Sequence, residues 1–315
     1  MTTPARTALR CTALLALAAA FTPFIQASLA PAQPPTPPAA PPAQPAAPAP
    51  TLPVAQIPMN GIAHIAIRVK DLPASLAFYN KLGYQQAFAM TRDGVTTQSF
   101  LKLNDRQFIE IYPMSPRDTE PGFMHLCFEG VDLNQLHDAY VAEGLTPISV
   151  RTAAAGNLLF TMKGLDQYSV PQNIEYTQYM PGSLHSKDFG QHLGPDRVAD
   201  KMTVVVLGMK DPAAARAFYL DKLGFTPDPT SATRLNLPGT SGQQVEIVPL
   251  DPLGAKSSII LTTPDLNKSE AQLKRQDVAY QRASASVTDA KGKTRTIDMI
   301  SVTDPDGNII RIQQQ

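Results

Sequence analysis

The chain has 315 residues, room for about two domains of ordinary size. Lys and Arg together number 27, as do Asp and Glu, so the net charge is zero and offers no pull toward nucleic acid or an anionic membrane surface. Apolar residues make up 43%, ordinary for a globular protein, but 30 prolines are too many and most of the excess sits near the N-terminus.

Residues 1–32 are predicted to be a signal peptide. Arg6 and Arg10 form a positive region, "CTALLALAAAF" a short apolar core, and Ala30-Pro31-Ala32 a small-residue cleavage site. The apolar run breaks at Pro23, too soon for a permanent span, and Cys11 has no lipobox before it. The expected mature chain is exported, periplasmic or secreted, with no membrane span. It keeps a single thiol, Cys127, and so has no internal disulfide. Residues 33–58 follow as a Pro/Ala-rich linker. Such a composition favours extended polyproline conformations and is expected to act as a semi-rigid spacer.

The body of the chain is repetitive. "VKDLPASLAFYNKLGY" returns as "MKDPAAARAFYLDKLGF", beginning at Met209. Each copy follows an apolar strand, sets Asp71 or Asp211 as a helix N-cap, places proline in the first turn, and ends at Gly83 or Gly224. A fainter half-repeat lies inside each copy, at "GFMHLCFEGVDLNQLHDAYVAEGL" and "SSIILTTPDLNKSEAQLKRQDV". The expected architecture is α+β, with four βαβββ modules paired into two domains. The first domain spans 59–180, with modules at 59–113 and 121–180; 181–200 is a linker, and the second domain spans 201–315.

Within "IAHIAIRV", strand alternation puts His64, Ala66 and Arg68 on one face and Ile65, Ile67 and Val69 on the other. The same alternation isolates Glu110 in "RQFIEIYP", His125 in "FMHLCF" and Glu175 in "QNIEYTQY". Each module of the first domain therefore supplies one His on its first strand and one Glu on its last. Two imidazoles and two carboxylates suit one divalent ion of the zinc, nickel, cobalt, manganese or iron(II) kind.

The pattern resembles the vicinal oxygen chelate superfamily of glyoxalase I, fosfomycin and bleomycin resistance proteins and extradiol dioxygenases. "HIAIRVKDLPASLAFYNKLGY" and "DPDGNIIRI" carry the resemblance, which runs from about residue 60 to 315. It implies paired modules around a metal cleft, and the set His64, Glu110, His125, Glu175 looks like the metal site of glyoxalase I. It further implies a lyase or isomerase working through an enediolate, with Glu175 as base, Glu110 as ligand or assistant, and Arg68 gripping an anionic small-molecule substrate. The position that would bind glutathione is Met114, which speaks against glutathione as the thiol. Several relatives pair their modules across two chains, so a homodimer is compatible with the resemblance. An iron(II) extradiol-type dioxygenase is the second reading, and a non-catalytic periplasmic binder of small molecules or antibiotics the third.

Two further expectations concern the rest of the chain. His185 and His192 lie in the 181–200 linker, expected to pack over the cleft mouth without ligating metal. In the second domain the corresponding positions are Val204, Glu246, Ser258 and Arg311, so this half is predicted to hold no metal, with Glu246 and Arg311 meeting as an ion pair.

Overall fold

Four times along the chain a strand runs into an Asp-capped helix and then into further strands. The computed structural model describes residues 52–118, 120–167, 171–250, 258–288, 292 and 294–315. The expected signal peptide and the linker up to Thr51 lie outside the described residues. The first module is β1 (Met59–Val69), α1 (Leu72–Lys81), β2 (Gln86–Arg92), β3 (Val95–Lys102) and β4 (Phe108–Pro113). The second is β5 (Gly122–Gly130), α2 (Leu133–Ala142), β6 (Arg151–Thr152), β7 (Leu158–Asp166) and β8 (Pro171–Gln178). A connector with a short helix, α3 (Leu184–Lys187), leads to β9 (Lys201–Met209), α4 (Pro212–Asp221), β10 (Thr226–Pro227), β11 (Arg234–Asn236) and β12 (Gln244–Pro249). The last module is β13 (Ser258–Thr263), α5 (Leu266–Arg275), β14 (Gln281–Thr288), β15 (Thr294–Thr303) and β16 (Ile309–Gln314). Among the described residues no helix is long and apolar enough to cross a membrane.

Each long helix starts the same way. Asp71, Asp132, Asp211 and Asp265 accept a hydrogen bond from a backbone N–H two or three residues on, satisfying a donor that the first turn cannot pair internally. The two halves then build equivalent eight-stranded sheets, ordered β2-β3-β4-β1-β5-β8-β7-β6 and β10-β11-β12-β9-β13-β16-β15-β14. In each, the first strands of the paired modules lie antiparallel at the centre, and each is flanked by the parallel last strand of its own module. This topology brings all four ligand-bearing strand positions side by side. Ile65, Ile67, Ile109, Leu126 and Ile174 fill the other face, in one core that runs through both halves.

The halves also hold each other. Gln107, just before β4, donates from Nε2 to the carbonyls of Ile62 and Met202 and accepts from Met202 N–H at 2.8 Å. Gln243, in the same place before β12, accepts from Ile62 N–H. Tyr79 on α1 donates to Asp304 at 3.1 Å, and Tyr219 on α4 exchanges hydrogen bonds with Gln172 on β8. Asp304 also accepts from Asp306 N–H and Asn308 N–H, so the "DPDG" turn is an interdomain fastening.

The end of the linker is a correction to its reading as a spacer. Residues 54–56 form a 3-10 turn, and Val54 and Ile57 are buried in the core. A Cβ on Gly224, after α4, would lie 2.8 Å from Ala55 N. In the other half, a Cβ on Gly83, after α1, would lie 2.6 Å from Arg197 Cα. Both glycines have positive φ (74° at Gly224, 88° at Gly83), so the close approach and the turn demand the same residue. The segment that precedes each half thus packs against a helix end of the other half.

Candidate metal centre

Register places the four ligand candidates. On the two central strands Ala66 pairs with His125 and His64 with Cys127; Glu110 lies beside Ala66, and Glu175 beside Cys127. All of these share one face, as period-two alternation requires. His64, Glu110 and His125 are buried at 4%, 3% and 5% exposure.

The side chains converge. His64 Nε2 lies 3.2 Å from His125 Nε2, 3.1 Å from Glu110 Oε2 and 3.3 Å from Glu175 Oε1. His125 Nε2 lies 3.2 Å from Glu110 Oε2 and 3.8 Å from Glu175 Oε1. Ligands about 2.0–2.2 Å from a common ion, set tetrahedrally, are about 3.3–3.6 Å apart. The separations among His64, His125 and each carboxylate bracket that spacing, while the two carboxylates fall in different donor sets that share His64. Glu110 Oε2 is buried and makes no hydrogen bond, although two imidazoles face it. Its lone pairs are left for something else in the cluster, and a divalent cation fits this donor set.

The electrostatics agree. Burial disfavours charge on Glu110, but His64 and His125 outweigh it and hold the carboxyl far below the usual range. Glu175 is likewise lowered, against burial, by His125 and His64. Burial also opposes charge on His64, while Cys127 and Glu110 raise its pKa well above the usual imidazole value. In the metal-free chain a proton therefore occupies part of the place a cation would take. Tyr112 donates to Glu110 Oε1 at 2.8 Å and is itself held by Gln98, which fixes that carboxylate.

A cavity of about 220 Å³ opens on the cluster, lined in part by His64, Glu110, Glu175, Tyr112, Arg151 and His185. Arg68 is not among the lining residues; it bonds Asp118 at 2.9 Å and is 30% exposed. The cationic side chain at the cavity is Arg151 on β6, which has no ion partner among the described residues. Several members of the site were missed in the sequence, Tyr112 and Arg151 among them. Cys127 forms a second donor set with His64 and Glu175 within 4.8 Å, and burial pushes its thiol up so that it stays protonated. Alternation from His125 would have placed it there. His185 packs over the cavity as the linker reading expected, yet it also lines it. His192 instead pairs with Asp188 on the connector.

The connector is anchored. Lys102, fully buried, reaches the Asp188 carboxylate at 2.6 Å, the Asp188 carbonyl, and the Asp105 carboxylate at 2.9 Å. Ser183 caps α3, and Leu184 N–H donates to Ala155 O at 2.8 Å.

The equivalent place in the second half is built otherwise. Register matches Val204 to His64, Glu246 to Glu110, Ser258 to His125 and Arg311 to Glu175. Val204, Val206 and Ile260, with Val248 against them, form a small apolar cluster there. The expected Glu246–Arg311 pair is not made. Glu246 bonds Arg234 at 3.2 Å and Thr233, while Arg311 donates to Ser258 Oγ at 2.8 Å. Arg234 sits across from Glu246 where Phe100 sits across from Glu110, so the second carboxylate is neutralised by its own neighbouring strand.

Paired βαβββ modules with a buried two-His, two-carboxylate cluster at the junction of one pair define a vicinal oxygen chelate fold with a candidate metal site in its first half. Residues 61–169, in the first half, match the Glyoxalase/Bleomycin resistance protein/Dioxygenase superfamily. A Mn(II)-bound glyoxalase from Novosphingobium aromaticivorans superposes with a TM-score of 0.61 at 15% identity, over 82% of this chain and 83% of its own. The 2,3-dioxygenase LapB from Pseudomonas sp. KL28 gives 0.56 at 14% identity, over 82% and 93%. A variant of homoprotocatechuate 2,3-dioxygenase from B. fuscum gives 0.57 at 13%, over 84% and 74%. At these identities the likeness shows the fold alone. No curated protein matches the chain in sequence.

Proposed function

We propose that the protein is a metal-dependent enzyme of the glyoxalase I type, a lyase or isomerase acting on a small oxygenated anion. The convergence of His64, Glu110 and His125 in one buried donor set, with the half-buried Glu175 within 4 Å of both histidines at the same cavity, carries this reading. A divalent ion held there would polarise two adjacent substrate oxygens and stabilise charge as a proton leaves the neighbouring carbon. The two carboxylates have different freedom. Both line the cavity, but Glu110 is 3% exposed and clamped by Tyr112, whereas Glu175 is 14% exposed. Glu175 is therefore the group that takes the proton, and Glu110 the group that stays in place. Arg151 at the cavity, more than the engaged Arg68, supplies the charge that turns an anionic substrate the right way round.

The test combines metal analysis of protein purified without chelator with two assays, isomerisation of methylglyoxal–thiol adducts and oxygen uptake on catechols. Adduct turnover that drops about 100- to 10,000-fold in Glu175→Gln supports the reading. Oxygen uptake with no isomerisation replaces it with the extradiol type. The periplasmic or secreted address rests on the N-terminal pattern alone, and N-terminal sequencing of exported protein should begin near Gln33.

A further inference from the structure

His185 is a cavity-lining group that the chemistry above leaves unused. It is 3% exposed, and neither ring nitrogen has a hydrogen-bond partner. Its ring stacks on Tyr179, centroids 4.3 Å apart, and meets the edges of Phe88, Phe108 and Phe100 at 4.9, 5.2 and 5.5 Å. Four aromatic rings hold the imidazole still without satisfying it. An apolar ring would fill such a cage at no polar cost, whereas buried idle nitrogens destabilise the fold unless something pairs with them.

The position says what that partner is. His185 lines the same cavity as His64, Glu110 and Glu175, yet belongs to neither of the donor sets whose atoms lie within 4.8 Å of one another. It completes neither donor set, and it shares with them a cavity of about 220 Å³. Its carrier is also fixed: α3 is capped by Ser183, tied to Ala155, and followed directly by the buried Lys102–Asp188 pair. Burial, with His64 nearby, lowers the His185 pKa to about 3, so the ring is neutral and offers one donor and one acceptor.

We propose that His185 is a substrate-binding residue, its imidazole meeting an oxygen of the ligand that the quartet chelates, so that the connector between the halves orients the substrate. The proposal rests on the metal-centre reading and adds to it the residue that fixes the ligand's pose.

Full-length protein loaded with cobalt(II) and titrated with acetohydroxamate, a small chelator with two adjacent oxygens, tests it through the visible cobalt bands. His185→Phe should keep cobalt stoichiometry, melt no lower than the wild type, and bind hydroxamate about tenfold more weakly, the worth of one hydrogen bond. His185→Asn, which keeps a donor and an acceptor in the cage, should recover part of that loss. Equal hydroxamate affinity in the wild type and the Phe variant overturns the proposal. If the Phe variant fails to fold, the comparison passes to His185→Asn against His185→Leu, where equal affinities overturn it. Wild-type protein that takes up no cobalt, or whose cobalt bands ignore hydroxamate, overturns the metal-centre reading and the proposal with it.

Discussion

The two halves share strand order, register and helix caps, and differ in what fills one small volume at the centre of each sheet. In the first half it holds two imidazoles and two carboxylates; in the second, three valines and an isoleucine, with the surviving carboxylate drawn aside by Arg234. Backbone topology positions four side chains on one face in both cases. Whether they can act together depends on the strand next to them, where Phe100 leaves Glu110 free and Arg234 does not leave Glu246 free. The scaffold sets the address, and its lateral neighbours set the chemistry.

The largest expected effect removes the difference from the first side. His64→Ala with His125→Ala should take metal content from one equivalent per chain to none, measured by elemental analysis on folded protein. A full equivalent persisting would mean that the second half binds metal.

The reverse change is a sharper test. Val204→His, Ser258→His and Arg311→Glu rebuild the quartet on paper, but Arg234 still holds Glu246. The triple variant should bind a second equivalent weakly, and adding Arg234→Phe should tighten it. Indifference to residue 234 would show that the neighbouring-strand account is wrong.

The third prediction concerns pH. His64 has its pKa raised above the usual value, so in the metal-free chain it stays protonated further up the pH scale. Metal must expel that proton, so affinity falls as pH falls below the raised value, by up to about tenfold per unit for one proton. Calorimetric titrations at several pH values, in buffers of differing ionisation enthalpy, should detect the released proton. Pairing between His64 and the lowered carboxylates makes the effect belong to the cluster rather than to one ring.

The smallest effect is on stability. His185, facing His64 and Glu110, has its pKa lowered to about 3 from an ordinary 6.5, so between those values the unfolded chain binds a proton that the folded chain refuses. The folded state therefore loses stability as pH drops through that window, by at most about 1.4 kcal/mol per unit from this group. Denaturant melts of His185→Phe at pH 6.5 and 4.5 should show a shallower loss than the wild type. Parallel slopes would contradict the low imidazole pKa.

What was legible in the sequence follows from which signals are local. Period-two alternation put His64, Glu110, His125 and Glu175 on one face, because a strand's faces are written in its own residues. The partner of Glu246 was not legible, because Arg234 lies on a short strand whose lateral register no single stretch encodes. His185 sits in a connector with no period to read. Val54 and Ile57 were hidden by averaging over a Pro/Ala tract, although two branched apolar residues together are what a core collects. The Asp caps, by contrast, were readable four times over and the glycine stops three times, at Gly83, Gly144 and Gly224, with Asp277 taking the positive-φ place after the last helix, since each motif closes within one helix.

The reciprocal packing of the two leading segments sets a rule for cutting the chain. Val54–Ile57 covers the second half, and the stretch around Arg197 covers the first, where Val198 N–H also bonds Leu82 O at 3.0 Å. A fragment ended at residue 180, as the repeat would invite, strips the half with the candidate metal centre of its sleeve, of His185 and of Asp188, one of the two carboxylates that hold Lys102. It keeps an arm that packs on α2 of its own half but loses the helix end of its absent sister, against which that arm also rests. The smallest portable unit of this candidate site is therefore longer than the repeat that generated it.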